Sequence, residues 1–135
     1  MAMKTSREPN ILVVDDQKTF RELNCSALRS GGFTRLRTAT DGMEAHALFN
    51  AESFDLVISD LEMPRMTGLQ LAEAIRNGAH RKAIPIILLT SRADASFVRE
   101  AGRLRLSAYL LKPASAVQIQ QAARKCIASL ATGVS

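Results

Sequence analysis

Residues 10–16 read NILVVDD: four apolar side chains, Ile11, Leu12, Val13 and Val14, run straight into two adjacent carboxylates, Asp15 and Asp16. A continuous apolar run this short, bounded by polar residues, suits a strand buried on both faces in a parallel sheet. The pattern recurs along the chain. FDLVIS (54–59) leads into Asp60, IPIILL (84–89) into Thr90 and Ser91, and AYLL (108–111) into Lys112. A weaker, alternating run, TRLRTA (34–39), carries Arg35 and Arg37 and suits an edge strand.

Between these runs the apolar residues take helical spacing. The sets are Phe20, Leu23, Ala27 and Leu28; Met43, Ala45, Ala47 and Leu48; Leu69, Leu71, Ala72 and Ile75; Phe97, Val98, Ala101 and Leu104; and Val117, Ile119, Ala122, Cys126, Ile127 and Leu130. Five strands alternating with five helices predict an α/β domain: a doubly wound five-stranded parallel sheet, joined by right-handed crossovers and covered by helices on both faces. Breakers fit the boundaries. SGGF (30–33) and RNG (76–78) end the first and third helices on glycine, and Pro85 opens the fourth strand, where a missing N–H is tolerated.

With 135 residues, 47% of them apolar and 23% charged, the chain has the size and balance of one globular domain. The expected division is a 1–9 extension, a 10–130 domain and a 131–135 tail, with no effector domain after residue 130. No apolar run approaches the roughly 20 residues needed to cross a bilayer, and the opening MAMKTSREPN lacks the apolar stretch of a signal peptide, so the expected location is cytoplasmic, without membrane attachment. Cys25 and Cys126 have no CxxC spacing and no neighbouring histidine, which fits reduced, buried thiols. The net charge of +5 permits attraction to polyanions, but five Phe and one Tyr offer little stacking surface, and no DNA-binding domain is expected.

In an open parallel α/β sheet ligands bind at the carboxyl ends of the strands. Those ends carry Asp15 and Asp16, then Asp60, Thr90 and Lys112. A single aspartate there could simply cap a helix, as could Thr90 or Ser91. Three converging carboxylates repel one another and call for a cation; Mg²⁺, which prefers oxygen ligands and keeps several waters, suits them. With a lysine and a hydroxyl added, the set can stabilise a phosphoryl group in transfer.

Taken in order, LVVDDQ, DLVISDLEMPRMTG, IPIILLTS and YLLKP span almost the whole chain, and this series resembles the receiver domain of two-component response regulators, the CheY-like fold. The resemblance implies a flavodoxin-like strand order 2-1-3-4-5 and a phosphorylation switch. It assigns Asp60 as phosphoacceptor, Asp16 as direct Mg²⁺ ligand, Asp15 as its water-mediated partner and the Glu62 backbone carbonyl as a further ligand. By the same resemblance Thr90 is the switch hydroxyl, Lys112 the phosphoryl-pairing lysine and Tyr109 the rotamer switch, and Pro113 follows a peptide bond that is often cis in the family. The implied partners are a sensor histidine kinase or histidine phosphotransfer protein and a downstream protein effector, the chain itself being a monomer or weak dimer.

The sequence departs from the family at RLRLSAY (103–109), where small residues are common, and at Ala114, where phenylalanine is common. Arg92 and Glu62 occupy variable positions that influence phosphoryl lifetime in the family. The expected function is a signalling switch rather than an enzyme, acting through its fourth helix, fifth strand and fifth helix. The alternatives are a phosphorelay intermediate and a Mg²⁺-dependent phosphohydrolase, which calls for an aspartate where Glu62 stands. Tyr109 could instead be a core aromatic. Arg99 and Arg103, one helical turn apart, form either a solvated face or a site for an acidic partner or a cyclic dinucleotide. His46 and His80 are expected on the surface without partners or roles.

Overall fold

The computed structural model describes residues 8–92 and 94–131, the last without its side chain; the rest of the expected extension (1–9) and tail (131–135) lies outside them. The elements are β1 (Asn10–Val14), α1 (Lys18–Ser30), β2 (Arg35–Ala39), α2 (Gly42–Ala51), β3 (Leu56–Asp60), α3 (Gly68–Asn77), β4 (Ile86–Thr90), α4 (Ala95–Arg103), β5 (Ala108–Leu111) and α5 (Ala116–Ala131). All strands are parallel, in the order β2-β1-β3-β4-β5, with β2 at one edge as its arginines imply.

Each residue of β1, β3 and β4 is buried. Successive strand side chains point to opposite faces, so the sheet feeds two apolar layers. Leu12, Val14, Val57, Ile86 and Leu88 pack with Phe49, Leu71, Ile75 and Phe97 from α2, α3 and α4. Ile11, Val13, Ile58, Ile87 and Leu89 pack with Leu28, Ile119 and Ala123 from α1 and α5. Cys25 and Cys126 are free, buried thiols in the second layer.

Several apolar residues expected in the core are outside it. Phe20 on α1 is 36% exposed, Met43 on α2 61% and Val117 on α5 57%. All three occupy first turns, and these helices begin at the rim where the strands end, so little sheet lies beneath them. Leu23 and Leu130 are exposed as well, and Ala47 is exposed while its neighbour Phe49 is buried. The inward face of α1 is Asn24, Cys25, Ala27 and Leu28. β5 also departs from expectation: its apolar run is only half covered, with Tyr109 and Leu111 exposed, because it is the second edge strand. His80 is not a free surface group; its ring packs edge-on against Phe49 at 5.4 Å, and its Nε2 is buried without a partner among the described residues.

One arginine ties two connections together. The Arg76 guanidinium donates to the carbonyls of Lys82 (2.6 Å), Ile84 (2.8 Å), Leu104 (2.8 Å) and Arg105 (3.1 Å), joining the segment before β4 to the α4–β5 turn. Arginine suits this task because its planar fork carries five donors and stays charged when partly desolvated.

The RLRLSAY departure has a specific structure. α1 and α4 end in the same six-residue motif, in which the N–H groups of the two residues after the cap return to carbonyls of the last turn. In α1, Gly32 donates to Arg29 (3.0 Å) and Phe33 to Leu28 (3.0 Å); in α4, Arg105 donates to Gly102 (3.1 Å) and Leu106 to Ala101 (3.0 Å). The left-handed residue is Gly32 in α1, with φ 97°, and Arg105 in α4, with φ 55°. A side chain in that conformation costs roughly 1–2 kcal/mol, which glycine avoids. Arg105→Gly should therefore stabilise the protein by about 1 kcal/mol and Gly32→Ala should destabilise it by a similar amount, as read from urea unfolding midpoints at constant m-value; a destabilised Arg105→Gly protein would contradict this account.

Candidate functional site

Because all strands run the same way, their last residues share one rim. Asp60 is the final residue of β3 and Thr90 that of β4; Asp15 and Asp16 follow β1 directly, and Lys112 follows β5. Backbone pairing continues past the strand ends, with Asp15 N–H donating to Ala39 (3.2 Å), Leu61 to Leu89 (2.9 Å) and Lys112 to Thr90 (2.8 Å). These bonds fix where each side chain starts.

The side chains meet. Oxygens of Asp15, Asp16 and Asp60 lie within 4.8 Å of one another, and Lys112 Nζ is 2.5 Å from Asp60 Oδ1. Asp15 and Asp60 are 1% and 2% exposed, whereas Asp16 faces solvent. The capping and metal readings of Asp15 divide between its two oxygens. Oδ1 accepts from the Gln17 N–H at 2.9 Å, at the start of α1, where Gln17 supplies no side-chain cap. Oδ2 is buried without a hydrogen-bond partner among the described residues. A buried, orphaned carboxylate oxygen beside two further carboxylates is a donor set suited to a hard divalent cation.

Asp60 is held by close backbone packing. The Ser59 hydroxyl donates to the Asp60 carbonyl at 2.9 Å, and the Gly68 N–H donates to Leu61 at 2.9 Å. A Cβ on Gly68 would lie 2.5 Å from the Asp60 carbonyl oxygen, so only glycine lets α3 start this near β3. Between them, Met66 N–H turns back to the Pro64 carbonyl (2.7 Å) around Arg65, whose φ is 69°. Its guanidinium bonds Asp41, the N-cap of α2, at 3.0 Å.

Electrostatics follow from this crowding. Burial is the largest influence on Asp60 and, helped by the charges of Asp15 and Glu62, lifts its pKa to about 6 despite Lys112. Burial likewise raises Asp15, opposed by its bond from Gln17 and by Lys112. For Lys112 burial works against the charged form, but the bond to Asp60 and the charges of Asp60, Asp15 and Glu62 outweigh it and raise its pKa.

Thr90 is fully buried, and its hydroxyl is engaged away from Asp60: it donates to Glu62 Oε2 at 3.2 Å and accepts from the Arg92 N–H at 2.9 Å. Ser91 Oγ reaches the same Glu62 oxygen at 3.5 Å. The resemblance gives Glu62 a backbone ligand role and an influence on phosphoryl lifetime, but not this side-chain link to Thr90, which spans 28 positions and has no periodic signal. Tyr109, 38% exposed, meets the buried Phe97 edge-on at 5.1 Å and 89°, so it is at most a partial core residue. The Lys112–Pro113 peptide is cis, as the resemblance implied. The Arg99 and Arg103 face is partly neutralised, since Arg103 pairs with Glu100 (2.8 Å) and Glu73 (3.5 Å).

The raised Asp60 value implies a pH signature. The folded chain holds the Asp60 proton more tightly than the unfolded chain does, so this contribution to stability is complete below about pH 4 and lost as pH rises through about 6. About two pKa units correspond to about 3 kcal/mol. In metal-free buffer, the difference in unfolding free energy between wild type and Asp60→Asn should shift by that order from pH 4 to 7.5, against wild type; a flat difference would mean an ordinary Asp60.

Comparison with known proteins agrees with this arrangement. The family model for the response regulator receiver domain matches residues 11–124. The chemotaxis protein CheY of Pseudomonas aeruginosa is 33% identical over 115 residues, covering 85% of this chain and 93% of that one. Among solved structures, Vibrio cholerae CheY4 superposes with a TM-score of 0.82 at 29% identity, covering 89% of this chain and 99% of that one. A CheY-like receiver domain protein from Methanospirillum hungatei shares the fold with a TM-score of 0.86 at 21% identity, covering 94% and 99%. The rim of carboxylates, the lysine on Asp60 and the strand order 2-1-3-4-5 thus occur in a chain that belongs to the response regulator receiver domain family.

Proposed function

We propose that the chain is a phosphorylation-activated switch that takes a phosphoryl group on Asp60 from a histidine kinase or phosphotransfer protein, with Mg²⁺ bound at the aspartate cluster. The observation that carries this reading is the Asp60 carboxylate, buried at the end of β3, with Lys112 on one oxygen and two further carboxylates within 4.8 Å. With a pKa of about 6, Asp60 is ionised at neutral pH while remaining poorly solvated, which favours nucleophilic attack. Its oxygen forms a bond to phosphorus as the bond from phosphorus to the donor's imidazole nitrogen breaks, and the freed nitrogen takes a proton from solvent. The product is an acyl phosphate. Asp15, Asp16, Asp60 and the Glu62 carbonyl would hold Mg²⁺, which supplies positive charge to the phosphoryl oxygens when bound. On this reading Lys112 moves from the carboxylate to a phosphoryl oxygen, which its present bond to Asp60 supports.

Signalling then requires Thr90 to exchange its Glu62 acceptor for the phosphoryl group, and Tyr109, already against Phe97, to turn inward. The exposed Val98, Tyr109 and Leu111 near this point support output through α4, β5 and α5 to a downstream protein. On this reading the chain catalyses only its own phosphorylation and slow dephosphorylation. Transfer onward in a relay uses the same acyl phosphate and differs only in the recipient.

With phosphoramidate and Mg²⁺, intact-protein mass spectrometry should show a gain of one phosphoryl group, absent in Asp60→Asn and absent with EDTA. Fast multiple turnover without an adduct would favour a phosphohydrolase. Asp16→Ala should weaken Mg²⁺ binding at least as much as Asp15→Ala, measured by calorimetric titration; a clearly larger loss from Asp15→Ala would reverse their assigned roles.

A further inference from the structure

Lys112 has a second neighbour besides Asp60. Its Nζ lies over the ring of Phe20, 5.2 Å from the centroid, inside the range in which an ammonium is attracted to an aromatic face. Asp60 Oδ1 is the only hydrogen-bond acceptor of this ammonium among the described residues, at 2.5 Å, and the lysine side chain is 23% exposed. Phe20 is in the first turn of α1, outside the packed face of Asn24, Cys25, Ala27 and Leu28, and 36% exposed. It lines a groove of about 250 Å³ together with Asp15, Leu23, Lys112, Pro113 and Ala114. An aromatic ring that adds little to the core thus borders the cation bonded to the Asp60 carboxylate.

We propose that Phe20 is a positioning residue for the Asp60 site: its ring covers the solvent side of the Lys112 ammonium and holds it against the carboxylate and, after transfer, the phosphoryl group. This rests on Asp60 as phosphoacceptor. A lysine has four rotatable carbons and three equivalent donors, so one hydrogen bond does not fix its head. The ring face removes the competing orientations toward water and leaves the direction of Asp60. An aliphatic side chain of similar size fills the space but lacks the negative face.

The test compares wild type with Phe20→Leu, Phe20→Ala and Phe20→Tyr, using phosphoramidate so that docking of a protein donor plays no part. Phe20→Leu and Phe20→Ala should lower the limiting phosphorylation rate about two- to fivefold, the range expected for one partly exposed cation–π contact. The half-saturating phosphoramidate concentration and the Mg²⁺ affinity should stay unchanged, and Phe20→Tyr should restore the rate. In proton NMR of the unphosphorylated protein, the Lys112 ε-methylene should be shifted upfield by the ring in wild type and Phe20→Tyr, and should lose that shift in Phe20→Leu. A Phe20→Leu protein with the wild-type rate, or a wild-type ε-methylene at its ordinary position, would overturn the inference. If wild-type Asp60 takes no phosphoryl group, the functional reading falls, and the NMR shift alone still decides whether Phe20 holds Lys112.

Discussion

Negative charge is concentrated at one rim of this molecule because parallel strands leave no choice. Each crossover returns the chain to the opposite edge, so whatever ends a strand is delivered to the same place, and here three of the five strand ends are acidic or basic. The buried carboxylates of Asp15 and Asp60 are tolerated only because Lys112 reaches across from β5 and because Asp15 spends one oxygen on the start of α1. The rest of the fold holds these groups at short range: two apolar layers keep the strands in register, and Gly68 lets α3 close on β3.

Most of this frame was legible in the sequence. A central parallel strand must be apolar on both faces, so ILVV, LVIS and IILL announced themselves and their polar successors marked the rim. Boundaries moved by one or two residues; Asp60 and Thr90 proved to be the last residues of their strands rather than the first beyond them. The faces of the helices were less legible. Apolar residues in the first turns of α1, α2 and α5 continue the helical period but overhang the rim, and periodicity contains no information about where the sheet stops. AYLL likewise cannot report that one of its faces is exposed and the other only partly covered, because that depends on which helices flank an edge strand.

Beyond the meeting of the strand-end aspartates with Lys112, contacts between distant side chains were not legible. Glu62 with Thr90, Arg65 with Asp41 and Arg76 with four carbonyls each join segments whose approach is set by the completed fold. Arg105 shows the same limit in the backbone. Its composition signalled only that the α4–β5 connection differs, whereas the structure keeps the usual helix ending and places an arginine where glycine fits better. Its carbonyl, and that of Leu104, remain available to Arg76, which links this turn to α3.

Gly68 separates importance from chemistry. It has no side chain, touches no ligand position and carries no charge, yet a single methyl group there would collide with the backbone of Asp60. The main chain at the acceptor would have to retreat, and with it the alignment of carboxylate and lysine. In a survey of substitutions such a position would be as intolerant as a reacting group, so sensitivity to replacement around this site measures the clearance between β3 and α3 as much as it measures participation in phosphoryl transfer.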